Sequence, residues 1–358
     1  MSSYLRVPQK TEPTRPVDEK KLVPFAVPKD LAGSALDAVV RAGFGLSWGR
    51  ARDLVRRGKV AVDGTTVTAP VRYVPEGAVV TIDLAARSAR TIATDLPEGA
   101  LVHVDPHVIV VDKPAGVSTV PFDPAGMGAS IAKRSKPGEE ATLDERVRAV
   151  LARQARSGGV RSVPPTLGVV HRLDKETSGL VVFTRTWAAK KALTDAFRAH
   201  TVARRYLAIV HGEARAGTIS THLVEDRGDG LRGSIEHRRG RKKPVGDERS
   251  QRAVTHVEVI ERLGEGAGAC TLVACRLETG RTHQIRIHLS EAGHPLVGER
   301  VYIRGYRGPV VPAPRLMLHA VELGFVHPAT NAEMHWESPM PEDMRVVLEG
   351  LRARTKGR

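Results

Sequence analysis

The run Val170-His171-Arg172-Leu173-Asp174-Lys175-Glu176-Thr177-Ser178-Gly179-Leu180-Val181-Val182-Phe183 sets the carboxylate of Asp174 between two basic residues, just ahead of an apolar stretch. A buried strand is rigid, and a loop feeding it holds a side chain on a fixed platform. That arrangement suits a reacting acid. Two other polar interruptions of apolar strands accompany it: Lys113 beside Pro114 and Gly116, and the run from Arg281 to His288, which contains Arg286. Taken singly, each has an ordinary structural explanation, Asp174 capping a turn and Arg286 bridging two strands. Their combination reads as a site.

The elements that must position these groups follow a pattern. Residues 1–30 hold five prolines among charges and are expected to form a flexible tail. From 31 to 84 a compact unit is expected: Leu36, Val39 and Val40 on one helix, then a second helix capped by Ser47 and ended by Gly58, with Ala51, Leu54 and Val55 as its apolar stripe. Arg50, Arg52, Arg56 and Arg57 make that second helix basic, and Asp63-Gly64 between two β-rich runs signals a hairpin. A linker over 85–99 leads to strands at 101–105 and 108–113, and Thr142 with Glu145 makes a capping box for a helix running to about 156. Beyond Asp174 come a strand at 180–184, a helix at 187–200 and a strand at 204–210 that carries Tyr206, on one face with Ala208 and Val210. A basic, glycine-rich loop at 226–252 precedes strands at 253–260 and 271–277, the latter running into the segment of Arg286. Strands and helices without regular alternation predict an α+β fold with a mixed, mainly antiparallel sheet, flanking helices and a preceding helix-plus-hairpin domain.

Bulk properties narrow the function. Among 358 residues, 55 are basic and 40 acidic, a net charge of +15, so the long-range field favours a polyanion. Aromatic residues make up only 4%, which argues against recognition by rows of stacked bases. Cys270 and Cys275, five apart, point to opposite faces of a strand and read as ordinary buried thiols of a reducing compartment. His283 and His288 lack the spacing of a helical zinc pair and read as structural hydrogen-bonders, so no metal is expected. Neither a secretory signal nor a membrane-spanning run is visible, and a cytoplasmic protein without a membrane partner is expected. No heptad run appears, and a monomer is expected.

The stretch His171 to Leu180 resembles the signature of the RluA family of RNA pseudouridine synthases. Lys113-Pro114-Ala115-Gly116, Tyr206 in its strand, Thr279 to His288, Gly293-His294-Pro295-Leu296-Val297-Gly298 and Leu316-Met317-Leu318-His319-Ala320 are similar to further blocks of that family, in the expected order. The resemblance spans roughly 100–345, within a catalytic domain expected over 100–350, and the leading unit resembles the small RNA-binding domain of the ribosomal protein S-four type. It implies an isomerase that breaks the N-glycosidic bond of a uridine in RNA, turns the uracil and rejoins it through carbon, with no cofactor. It further implies Asp174 as the catalytic aspartate, Tyr206 as the active-site tyrosine against the extruded uracil, and Arg286 as the cation that keeps the carboxylate ionised by paired hydrogen bonds. Arg172 is expected to prop the gap left by the extruded base, and Arg281 and Lys113 to contact phosphate or brace loops. Ribosomal RNA is the expected partner, because an accessory RNA-binding domain suits a large folded target.

Two rival readings compete with this one. His-Arg-Leu-Asp superficially resembles a kinase catalytic loop, but the order differs and no Asp-Phe-Gly element or glycine-rich phosphate loop is present. A non-catalytic ribosome-assembly factor would be free to lose Asp174, Tyr206 or Arg286, and all three are present.

Overall fold

The computed structural model describes residues 24–70, 72–86, 96–121, 140–157, 167–237 and 250–356. They fall into two compact units, one within the first 92 residues and a larger one built mainly from 141 onward.

In the small unit, β1 (Phe25–Ala26) and β2 (Ser34–Ala35) precede α1 (Leu36–Phe44) and α2 (Trp48–Arg56), followed by β3 (Val60–Val62), β4 (Thr65–Thr66), β5 (Tyr73–Val74) and β6 (Val79–Ile82). Each helix buries one stripe, Leu36, Val39 and Val40 in α1 and Ala51, Leu54 and Val55 in α2. Ser47 caps α2 by accepting from the Arg50 amide at 3.3 Å. Asp63 and Gly64 both take positive φ, as the two-residue turn between β3 and β4 demands. The ordered unit starts earlier than residue 31, because Phe25 pairs with Val80 and Val27 enters the core. Residues 1–23 and most of the expected linker lie outside the described residues.

The larger unit contains β7 (Leu101–Val104), β8 (Val108–Lys113), α3 (Leu143–Ser157), β9 (Gly168–Val169), β10 (Ser178–Thr184), α4 (Trp187–Arg198), β11 (Ala203–His211), β12 (Gly217–Val224), β13 (Gly233–Ser234), β14 (Gln251–Leu263), β15 (Cys270–Leu277), α5 (Gln284–Glu291), β16 (Leu318–Val326), β17 (Glu333–Glu337) and α6 (Glu342–Lys356). Nine strands run in the order β13-β12-β14-β15-β11-β16-β10-β8-β7, with β9 beside β10 and β17 beside β16. Among the described strands only β10 and β16 pair in parallel. This is the mixed, mainly antiparallel α+β sheet expected.

Helices cover both faces. Ile109, Val111, Val181, Phe183, Ala208 and Val210 meet Leu143 and Val147 of α3 and Ile285 and Leu289 of α5. On the opposite face Val108, Val110, Leu180 and Val182 meet Leu193 of α4, while Ile209 and Leu272 meet Leu348 and Leu351 of α6. Strand β10 is buried along its whole length, the rigid platform that the sequence implied for Asp174. The β10–β16 crossing is close: a Cβ on Gly179 would fall 2.2 Å from the Ala320 carbonyl oxygen, and φ there is 110°. Only glycine fits.

The segment after β15 departs from the sequence reading, since Gln284–Glu291 is a helix and not polar punctuation between strands. The loop expected over 226–252 also differs in part: 238–249 lies outside the described residues, but Gly233–Ser234 forms a strand and Arg227 is buried and engaged by Asp229 and Glu291.

Candidate active site

Asp174 lies in the loop between β9 and β10, and the backbone of that loop is gripped on every side. Thr119 bonds both the carbonyl and the amide of Leu173, at 2.8 and 3.1 Å. The Thr177 amide donates to the Asp174 carbonyl, the Gly116 amide and Lys113 Nζ to the Lys175 carbonyl, and Arg315 Nη1 to the Glu176 carbonyl. Just upstream, His171 accepts from the Val182 amide at 3.0 Å through Nε2 and stacks on Phe197. Burial, with Arg204 nearby, brings His171 down to about 3, so it serves as a neutral acceptor.

The side chain of Asp174 is 21% exposed. It faces a cleft of about 470 Å³ whose lining includes Tyr206, Arg204, His283 and Arg286. Arg286 Nη1 reaches Asp174 Oδ2 at 3.5 Å, and His283 Nε2 stands 3.9 Å from Oδ1. The expected paired hydrogen bonds between Arg286 and Asp174 are absent. The fork closes instead on Glu299, with Nε to Oε2 and Nη2 to Oε1 both at 2.8 Å. Glu299 has no exposed side-chain surface, and its Oε1 also accepts from the amides of Arg300 and Val301. These bonds and the Arg286 charge hold its carboxyl below the usual range although burial acts the other way, and Arg286 is raised by Glu299 first and Asp174 second against its own burial.

Helix α5 carries this clamp because its first residue is anchored. Gln284 accepts from Thr279 Oγ1 at 2.8 Å and donates to the Val254 carbonyl at 2.9 Å. His288 bonds Thr221 and Thr255, the structural role expected of it. His283 does more than expected: it takes a left-handed φ of 59° before the helix, bonds the Tyr302 hydroxyl at 2.8 Å and turns its other nitrogen towards Asp174. Burial pushes His283 below its ordinary range, countered chiefly by Asp174.

Tyr206 reaches the cleft from β11, beside an irregularity in its pairing with β16 where Arg205 faces Glu322 and Tyr206 faces Ala320. Such a bulge bends a strand and re-aims the side chain next to it. The ring is 7% exposed, and burial raises the phenol above its ordinary value, with Asp174 adding to that and Arg204 opposing it. The hydroxyl therefore stays protonated, able to donate.

Asp174, Tyr206 and Arg286 thus meet at one cleft, while Arg172 and Arg281 are exposed on its lining. Of the two roles expected of Lys113, phosphate contact and loop bracing, its surroundings leave only the second. It is fully buried, and Nζ donates to the carbonyls of Pro114, Val117 and Lys175, so it braces the loop of Asp174. On the small unit, Arg52 bonds the buried Asp37 at 2.6 Å, Arg57 bonds Asp53 at 2.8 Å, and Arg50 stands 3.9 Å from Asp53. Arg56 is exposed, and Arg41 and Arg52 lie over the ring of Trp48.

The family model described as RNA pseudouridylate synthase matches residues 107–291, and the S4 domain model matches 36–80. A protein of Pseudomonas aeruginosa named ribosomal large subunit pseudouridine synthase D is 35% identical, over 91% of this chain and 94% of its own length. Its namesake in Xanthomonas campestris is 33% identical over 91% of each chain. The solved human RNA pseudouridylate synthase domain containing 4 superimposes with a TM-score of 0.50 at 23% identity, covering 71% of this chain and 93% of that one, a likeness of fold.

Proposed function

The chain belongs to the RNA pseudouridylate synthase family and is an RNA pseudouridine synthase, an isomerase with an S4 domain, and on that premise we propose that it converts uridines of ribosomal RNA through Asp174. The names of its relatives support a large-subunit ribosomal RNA substrate. The observation that carries the site is the meeting of an Arg286-backed carboxylate and a protonated Tyr206 in one cleft.

Uridine and pseudouridine have the same atoms, so the reaction asks for positioned side chains and no external oxidant or donor. Asp174 attacks C1′ of the extruded nucleotide or takes a ribose proton. Arg286 sets a positive charge beside the acid in either role. Tyr206 stacks on the freed uracil and offers its hydroxyl proton late in the rearrangement. Arg172 and Arg281, at the cleft, meet the flanking RNA, and Arg50, Arg52, Arg56 and Arg57 make the S4 domain attractive to phosphate. We further read the protein as a cytoplasmic monomer; no described helix is long and apolar enough to cross a membrane.

Incubation with unmodified ribosomal RNA, followed by detection of pseudouridine, tests the proposal. Conversion by the native protein and none by Asp174→Ala is expected. Binding without conversion by both would instead identify an assembly factor.

A further inference from the structure

Arg204 and Tyr206 project from the same face of β11, two residues apart, and both line the cleft that holds Asp174. Only 8% of Arg204 is exposed. Its Nη2 donates to the carbonyl oxygens of Leu277 and Glu278, its guanidinium lies 5.2 Å over the ring of Phe197, and its Nε has no hydrogen-bond partner. Among the described residues no carboxylate pairs with it, in contrast to Arg286, Arg227 and Arg315, each of which holds one. Gly280 makes room for it: a Cβ there would stand 2.7 Å from Nη1.

A buried cation without a counter-ion is costly to fold around, and proteins keep such a charge where a negative charge arrives during function. We propose that Arg204 is a further catalytic residue, whose guanidinium stabilises the uracil anion released when the C1′–N1 bond breaks. The inference rests on the pseudouridine synthase reading. When that bond breaks, its electron pair leaves with N1, and the charge spreads over O2 and O4 of the base. When C5 then bonds to C1′, C5 loses its proton and N1 gains one, so nothing is consumed. Arg204 faces this base because it shares a wall with Tyr206, whereas Arg172 and Arg281 are exposed at the cleft.

The test uses the full chain, an unmodified ribosomal RNA transcript, and two variants that remove the charge at similar volume, Arg204→Gln and Arg204→Met. Single-turnover rates at saturating RNA are expected to fall by roughly 100-fold. The Kd for RNA stays within about twofold and both variants still fold, because removal of a buried unpaired charge offsets the bonds lost at the Leu277 and Glu278 carbonyls. Arg204→Lys, which restores the charge, recovers part of the rate. Native rates in both charge-free variants would overturn the proposal. So would a loss confined to Kd, which would mark Arg204 as a phosphate contact, and so would failure of both variants to fold, which would make it a brace for the carbonyls of Leu277 and Glu278. Absence of conversion by the native protein would instead sink the underlying function.

Discussion

Arg286 and Glu299 are locked together by two parallel hydrogen bonds of 2.8 Å, while the same guanidinium touches Asp174 only once, at 3.5 Å. The cation at this site is therefore oriented by a buried carboxylate, leaving one N–H aimed at Asp174, the acid proposed to react. In the proposed reaction Glu299 is a positioning residue. Its loss should move Arg286 by a fraction of its length and disturb turnover without touching RNA.

Glu299→Gln is expected to lower kcat by about 100-fold, the scale of a small misplacement of a catalytic group. KM and RNA affinity should stay close to native. Glu299→Ala should in addition destabilise by about 3–5 kcal/mol, since Arg286 is then buried without its counter-charge. Steady-state kinetics with urea unfolding separates the two, and a pure KM effect would contradict the positioning role.

Arg286→Lys retains the charge but has a single ammonium, which cannot hold both oxygens of Glu299 and still reach Asp174. Turnover is expected to fall far more than RNA affinity. Equal activity of the two proteins, measured by pseudouridine formation under single-turnover conditions, would refute this.

Lys113 offers a pH test of stability. Burial lowers its amine from 10.5 to about 7, with Asp174 and Glu176 pulling it back up. Between those two values the unfolded chain holds a proton that the folded chain has released, so this residue's contribution to stability rises with pH across the window, and its burial cost is fully present below about pH 7. Lys113→Met should be less stable than the native chain by about 1–3 kcal/mol for each carbonyl left without a donor. The gap between the two proteins should widen in favour of the native one from about pH 6 to about pH 9. Urea unfolding at both values checks this, and a constant gap would count against it.

On the S4 domain, Arg56 and Arg52 should behave differently. Arg56→Ala is expected to weaken RNA binding and reduce the slope of log affinity against log salt by about 1. Arg52→Ala should also lower the melting temperature, because it strands the Asp37 carboxylate, only 3% exposed. RNA titrations over a salt series, with melting curves, distinguish them; a salt-independent affinity would remove the electrostatic basis of RNA binding.

Much of this architecture was legible in the sequence because it is set locally. Ser47 caps its helix, Asp63-Gly64 turns its hairpin, and the apolar run after Asp174 becomes a fully buried strand. What was hidden depends on distant partners. Ile285, Ile287 and Leu289 alternate as strand residues do, yet α5 is helical because it is buried on several sides and so lacks a polar face to reveal its period. Glu299 lies one residue beyond the motif ending at Gly298, and nothing local marks it as the partner of an arginine thirteen positions earlier. Lys113 follows four buried apolar positions and the half-buried Asp112 and precedes Pro114, which reads as an exposed strand end; only the fold brings three carbonyls around its amine. Arg204 gave no signal of its own, since the missing counter-ion is a fact of three dimensions.

The carbonyls from Leu173 to Glu176 are all tied by neighbours that never touch the Asp174 carboxylate, and Arg286 has Glu299 to lean on when that carboxylate is gone. A protein disarmed at position 174 should keep the shape of the working one down to its backbone. It would then serve as bait: a decoy that captures its RNA, fails to let the modification proceed, and so carries the identity of the target out of a cell extract.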